Sequence, residues 1–182
     1  VINPTAEERV ISIAKVLPKY NEFLFAGWAT SGDRLTPAYA ATGYYTPQGN
    51  GSVLQTTITL EGNTTLYAVW MQKYVLGYNA NGGDENTTPP YENAFETLNG
   101  TMTNHTFAVG AAIPTHPDGL TFLGWSKDPN ATAATYQPGG TILVNGNTDG
   151  SETVTTLYAV WQEDTGETTA DETTETDGPL LN

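Results

Sequence analysis

Hydrophobic residues of this chain occur in short stretches, rich in aromatic and β-branched side chains, which are separated by clusters of Gly, Pro and Asn. Such spacing is typical of β-strands joined by turns. It therefore predicts a mostly β protein. The predicted strands are residues 11–13, 23–28, 53–60, 64–70, 74–79, 107–109, 120–125, 142–144 and 154–161.

Three sequence blocks occur twice, in the same order. They are Leu-Tyr-Ala-Val-Trp at 66–70 and 157–161, Phe-x-Gly-Trp at 25–28 and 122–125, and two apolar residues followed by Pro at 16–18 and 112–114. A repeat of this kind indicates a duplicated structural unit. We expect two tandem small domains, a first unit at residues 1–71 and a second unit at 72–162. An acidic, Thr-rich linker or stalk follows at 163–182.

All four tryptophans of the chain lie in the repeated blocks. The structural core residues are therefore expected to be Trp28, Trp70, Trp125 and Trp161. The chain has no Cys, so disulfides and thiolate metal sites cannot add stability. The Gly before Trp in each Phe-x-Gly-Trp block predicts a β-bulge or a close backbone approach.

The first unit departs from the second near its beginning. Residues 5–8 fit a helix capping box, and Val10, Ala14 and Leu17 follow at helical spacing. The repeat instead aligns residues 11–13 with 107–109, which favours a strand, because copies of a repeat share one fold while helix propensity is a weak guide. We expect the strand.

The net charge is strongly negative, −14 from 20 acidic and 6 basic residues. Nucleic acid is disfavoured as a partner because phosphate binding needs clustered Lys and Arg. No apolar run approaches the roughly 20 residues that span a bilayer, so no membrane insertion is expected within this segment. Residues 163–177 contain no large apolar side chain and are expected to form an extended linker.

Residues that could carry chemistry are scattered. His105 and His116 lie in predicted loops without the four organised ligands of a zinc site. Residues 145–150 resemble the start of a calcium loop, but the twelfth position is Thr156 rather than Glu, which favours a polar hairpin loop. No nucleophile elbow, phosphate loop or paired acid and base is present. We expect no catalytic residue, no metal site, no cofactor and no enzyme activity.

Exposed aromatic rings offer a further possibility. Tyr44 and Tyr45, in the longer loop of the first unit, are the best candidates for glycan contact by stacking on sugar rings. Rings that cover the edge of a small core are the alternative explanation for these tyrosines.

Residues 74–83, Tyr-Val-Leu-Gly-Tyr-Asn-Ala-Asn-Gly-Gly, open the second unit ahead of Phe-Leu-Gly-Trp at 122–125 and Leu-Tyr-Ala-Val-Trp at 157–161. Together these motifs resemble the Listeria–Bacteroides repeat, also called the internalin B-type repeat. The resemblance implies two tandem β-grasp-like (ubiquitin-like) domains of a bacterial or archaeal cell-surface protein, which serve as spacers or adhesion modules. Nothing before Ile11 resembles the opening strand. The first unit is therefore a truncated copy, or another segment supplies that strand.

The sequence thus predicts a non-catalytic extracellular spacer or adhesion module of a cell-surface protein. Its expected partners are other domains of the same protein or neighbouring copies. An alternative is a subunit of an extracellular filament in which a neighbour completes the first unit by strand exchange. A weaker alternative is a glycan-binding accessory module.

Overall fold

A computed structural model describes residues 9–40, 55–60, 62–100 and 103–163. The protein is mostly β in these ranges, which confirms the predicted class. The strands are β1 Arg9–Ser12, β2 Leu24–Ala29, β3 Thr57–Leu60, β4 Tyr67–Asn79, β5 Glu92–Thr97, β6 Asn104–Ala108, β7 Thr121–Ser126, β8 Thr141–Asn145 and β9 Thr153–Gln162. A short 3-10 turn covers Glu85–Thr87. The described ranges contain no α-helix.

Strand β4 is the centre of a five-stranded sheet. Met71 pairs with Leu24 of β2 and with Thr97 of β5, so β2 and β5 lie along opposite edges of β4. Tyr74 pairs with residues of both β5 and β9. Strands β2 and β9 therefore follow one another along the same edge of β4, and β7 lies on the outer side of β9. The β4–β9 pair is parallel, and the other pairs are antiparallel.

The predicted boundary between the units falls inside β4. Met71 and Gln72 are 2% and 0% exposed, and the strand continues through them. Successive side chains of a strand point to opposite faces. Val69 and Met71 accordingly join one apolar cluster, with Ala26 and, from β5, Phe95. One strand thus runs without interruption through the boundary expected between the two repeated segments, and a single sheet contains strands from both.

Two short ladders pack beside the main sheet. Strand β1 pairs with β3, and β6 pairs with β8, both antiparallel. Ile11 stands opposite Ile58 in the first ladder, as Phe107 stands opposite Ile142 in the second. The strand prediction for 11–13 is confirmed in position, although β1 ends at Ser12. The helical alternative is wrong for the part that begins at Arg9, and the proposed capping residues lie outside the described ranges.

The Phe-x-Gly-Trp blocks form matching β-bulges. The register of β2 against β4 shifts between Phe25 and Gly27, and that of β7 against β9 shifts between Phe122 and Gly124. The two glycines have φ values of 143° and 131°, a region that L side chains rarely adopt. The predicted bulge is therefore confirmed in both copies.

Contacts also join the segments that lead into β2 and β9. The backbone N–H of Glu22 donates to the carbonyl of Asp149 at 2.9 Å. The Phe23 ring covers Gly150 so closely that an added Cβ would lie 2.4 Å from it. These contacts hold the segment before β2 against the loop before β9.

Candidate functional site: an apolar groove in the first unit

The second half of β4 fills the core of the second unit. Tyr74 and Leu76 are fully buried, and Tyr78 packs edge-on against Trp125 with ring centroids 5.0 Å apart. The alternation of a strand places all three on one face. The buried side chains around them are Phe107, Val109, Trp125, Ile142, Val144, Leu157 and Ala159.

The first unit contains a matching wall of side chains. Its members follow from the repeated blocks and from the equivalent pairings of β1 with β3 and of β6 with β8. They are Ile11, Ile13, Trp28, Ile58, Leu60 and Leu66, which correspond to Phe107, Val109, Trp125, Ile142, Val144 and Leu157.

These six side chains line an apolar groove of about 350 Å³. Ser12, Ala14 and Thr64 complete its described lining. In the second unit the corresponding space is the core that β4 fills. Among the described residues of the first unit, no strand occupies that position.

Two side chains of the groove wall are more exposed to solvent than their counterparts in the second unit, as expected for an open groove. Ile11 is 47% exposed, whereas Phe107 is 3% exposed. Leu66 is half-buried, whereas Leu157 is fully buried. Apolar surface that is buried in the second unit therefore stays in contact with water in the first unit. This exposure costs about 25 cal/mol of free energy per Å² of apolar surface.

The backbone differs at the same place. Strand β9 begins at Thr153 and pairs in parallel with β4 as far as Tyr158. By the repeat, residues 62–66 correspond to 153–157, yet they lie before β4 and belong to no strand. Residues 62–65 are exposed and Leu66 is half-buried. A parallel neighbour is what turns the corresponding residues of the second unit into a strand.

The four tryptophans differ in burial. Trp125 is fully buried, while Trp28, Trp70 and Trp161 are half-buried. Each lies against the Phe of its block or of its neighbouring strand. Of the four residues expected to be structural core, Trp125 belongs to the buried cluster and Trp161 packs against it. Trp28 lines the groove, and Trp70 packs against Phe25.

Gln72 organises a buried polar cluster that the sequence did not suggest. Its amide Nε2 donates to the carbonyl of Ser151 at 2.7 Å, and its Oε1 accepts from the Thr103 hydroxyl at 3.1 Å. The Tyr74 hydroxyl contacts Thr103 Oγ1, and burial raises the pKa of Tyr74. The donors and acceptors satisfy one another, as buried polar groups must. The cluster joins β4 to the loop before β9.

His105 lies in β6 rather than in the predicted loop, and the two histidines have separate structural partners. His105 Nδ1 lies 2.6 Å from Glu96 Oε1, and its ring packs against Phe107. His116 packs against Trp161 with ring centroids 5.0 Å apart. Within the described ranges, no group of three metal-ligating side chains comes together.

In the calcium-like loop at residues 145–150, the Asp149 carboxylate accepts hydrogen bonds from within the chain. The Asp149 carboxylate accepts hydrogen bonds from the Ser151 N–H at 3.0 Å and hydroxyl at 2.7 Å, which hold the pKa of Asp149 below its ordinary value. The N–H of Gly150 donates to the Asn147 carbonyl at 3.0 Å and closes a turn. This geometry is that of the polar loop that the sequence favoured.

Tyr44 and Tyr45 lie outside the described residues, so the glycan hypothesis stays a prediction.

Two other tyrosines have a role that sequence reasoning missed. Tyr39 forms an antiparallel bridge with Trp28, and Tyr136 forms the same bridge with Trp125. The signal was present, because each Tyr follows its Trp by 11 residues. This Trp-to-Tyr spacing is a fourth repeated feature of the chain.

No protein-family model matches the chain, and no solved structure matches it either. The chain is similar to a protein of Evansella cellulosilytica that is named as a Gly-rich membrane protein. It is 30% identical over 142 residues, which make up 77% of this chain. The chain spans about 14% of the length of that relative. In the described part of the chain, no helix has the length and apolar character needed to cross a membrane.

Proposed function

We propose that this chain is part of a cell-surface protein, in which tandem β-grasp-like units of the internalin B-type repeat serve as a non-catalytic spacer or adhesion module. The observation that carries the proposal is the parallel pairing of β4 with β9, the first and last strands of the second unit. Six residue pairs join them, from Tyr74 with Thr153 to Asn79 with Tyr158.

This arrangement suits a module that bears tension along its chain. Force enters the second unit within β4, just before its pairing with β9 begins at Tyr74, and leaves it at the end of β9. The two strands are then pulled in opposite directions along their length, so the hydrogen bonds between them carry the load together. Forced unfolding depends on the rate of unfolding, and such a geometry lowers it.

Single-molecule stretching tests this role, and the absence of Cys allows unique attachment points. Handles on Lys73→Cys and Gln162→Cys load β4 against β9 in shear. Handles on Lys73→Cys and Glu152→Cys form the matched control. The two side chains lie 2.7 Å apart in a salt bridge at the same end of the strand pair, and pulling there opens the pairs one after another. We expect a clearly higher unfolding force in shear. Equal forces in both geometries would count against a load-bearing spacer.

The location at the cell surface has separate support. The relative from Evansella cellulosilytica is named as a membrane protein, which is compatible with association with the cell envelope. Antibodies raised against the chain should label intact cells of its source. Labelling that requires broken cells would reject the surface location and leave the mechanical result standing.

A filament subunit remains the second candidate. The observation that favours it is the unpaired stretch at residues 62–66 beside the open apolar groove. A filament requires the chain to form long polymers at micromolar concentration, which sedimentation would detect. A spacer stays monomeric under the same conditions.

A further inference from the structure

The groove of the first unit and the core of the second unit share one wall. Six apolar side chains correspond one to one, and the same bulge positions Trp28 and Trp125. What differs is the strand that covers the wall. In the second unit it is the end of β4, and the described part of the first unit has no counterpart of it. The second unit therefore shows what kind of segment fits the groove.

We propose that the groove is an acceptor site for one added β-strand, which lies parallel to residues 62–66 and carries large apolar side chains at three alternate positions. The occupant is a strand of the 74–79 type that extends from the last strand of another repeat unit. This inference goes beyond the spacer role, and it rests on the proposed tandem arrangement of repeat units. Addition of a strand to an open edge is an established mode of peptide recognition.

The register follows from the second unit. Tyr74 pairs with Thr153 and Tyr78 pairs with Leu157. Residues 62 and 66 correspond to the two β9 positions, so the first and third apolar side chains of the added strand lie beside Gly62 and Leu66. The middle one lies beside residue 64, and both Thr64 and Leu66 already line the groove.

Depth and chemistry restrict the occupant. The groove of about 350 Å³ is lined mainly by apolar atoms, so it favours apolar over charged side chains. The sequence after Trp70 supplies such side chains in Tyr-Val-Leu-Gly-Tyr, whereas Glu-Asp-Thr-Gly-Glu follows Gln162. Carboxylates of that acidic segment would lose their hydration without gaining a cation. A second copy of this chain is therefore a poor donor through its acidic end.

Strand β4 shows how a donor strand is connected. It runs without interruption from Tyr67 to Asn79 and so joins the last strand of one unit to the first strand of the next. The chain's own segment of this type, 74–79, is already paired with β5 and β9. Another repeat unit of the same type would present an equivalent segment in the parallel direction that the groove requires.

A synthetic peptide tests the proposal on the full chain. The probe has the sequence of residues 71–79, Met-Gln-Lys-Tyr-Val-Leu-Gly-Tyr-Asn, with blocked ends. The matched control has Ser at its three inward positions, those of Tyr74, Leu76 and Tyr78. We expect saturable binding of the probe and at least a tenfold weaker binding of the control. Equal binding of both peptides, or no binding of the probe, overturns the proposal.

The direction of the strand is tested with a nitroxide label at the N-terminus of the probe. Parallel binding places the label near residues 62 and 63, whose amide NMR signals should broaden most. Strongest broadening near Ala68, or in the second unit, overturns the proposed site. This measurement separates insertion into the groove from loose contact with other apolar surface.

A substitution in the groove gives an independent test. Leu66→Glu places a carboxylate on the wall and should weaken binding of the probe at least tenfold. Leu143→Glu, on the exposed side of β8, is the matched control and should bind as the unchanged chain does. Circular dichroism of both variants establishes that the β-structure persists. If Leu66→Glu folds and binds the probe normally, the groove is not the acceptor site.

Discussion

The ring of Tyr78 lies edge-on against the indole of Trp125, with centroids 5.0 Å apart and ring planes at 64°. Trp28 is the counterpart of Trp125 and keeps the matching contact with Phe25 at 5.2 Å, as Trp125 does with Phe122 at 5.1 Å. Among the described residues, no ring covers Trp28 as Tyr78 covers Trp125. Two copies of one motif thus have unequal cores.

Alanine substitutions of the two tryptophans measure this difference. Trp125→Ala removes a fully buried indole and should lower the free energy of unfolding by about 3–5 kcal/mol. Trp28→Ala removes a half-buried one and should cost about 1–3 kcal/mol, because water already reaches part of the site. Urea denaturation followed by circular dichroism gives both values. Equal losses would contradict the unequal burial of the two sites.

The bulge glycines predict a second effect. An added Cβ at Gly124 would lie 2.7 Å from the Ala134 Cβ and 2.8 Å from the Tyr136 carbonyl, and the φ value of 131° is itself unfavourable for Ala. Gly124→Ala should therefore lower the free energy of unfolding by about 2–4 kcal/mol. Gly32→Ala meets no atom within 4 Å and is the control, expected to change stability by less than about 0.5 kcal/mol. Thermal melts of the two variants that coincide would reject the role of the bulge.

The alternation of apolar and polar residues predicted most strands, because most strands bury one face against a core. Strand β5, Glu92–Thr97, was not predicted because it lacks this alternation. It carries two Glu and one large apolar side chain, and it owes its conformation to pairing with the edge of β4. The expected boundary between residues 71 and 72 falls where Met71 and Gln72 are buried in the middle of β4. Pairing on both edges, which no local pattern encodes, keeps that strand continuous.

The groove could be predicted in part. The missing opening strand of the first unit indicated an open position, and the repeated blocks contain two residues of its wall, Trp28 and Leu66. The other four wall residues follow from the strand pairing that the structure shows. Sequence could not give the exposure of Ile11 or the loss of strand structure at 62–66, because both depend on which segments lie nearby in space. The bridge between Trp28 and Tyr39 was accessible from spacing and was overlooked.

Replacement of Gln72 by an apolar residue of similar size should lower the stability of the protein. Gln72→Leu keeps the volume but removes the groups that bond the Ser151 carbonyl and the Thr103 hydroxyl. The Ser151 carbonyl loses its short hydrogen bond, whereas the Thr103 hydroxyl keeps its contact with the Tyr74 hydroxyl. A polar group left without its hydrogen bond costs about 1–3 kcal/mol, so the variant should lose about 1–3 kcal/mol of stability. Gln162→Leu, an exposed position at the end of β9, is the matched control. Chemical denaturation should separate the two variants, and a Gln72→Leu protein as stable as the control would show that the cluster adds nothing.

Alkaline pH should destabilise the protein through its buried tyrosines. Burial raises the pKa of Tyr78 above its ordinary value of 10.0, and the Glu92 charge adds to this, while the hydrogen bond from the Gly110 N–H opposes it. Above about pH 10 the unfolded chain releases the phenolic proton while the folded chain retains it. The unfolded state then binds fewer protons, so the free energy of unfolding falls as pH rises from about 10 toward the folded pKa of Tyr78. Below about pH 10 this tyrosine contributes no pH dependence.

The pKa of Tyr74 is raised in the same direction, so both residues contribute to this alkaline loss. Tyr78→Phe should lose about 1 kcal/mol at neutral pH with its hydrogen bond from Gly110, yet show a shallower decline above pH 10 than the unchanged chain. Tyr91→Phe, at a side chain that is 70% exposed, is the control and should keep the original decline. Urea midpoints measured between pH 8 and 11 decide the matter. An unchanged alkaline slope in Tyr78→Phe would mean that its hydroxyl is not the group that links pH to stability.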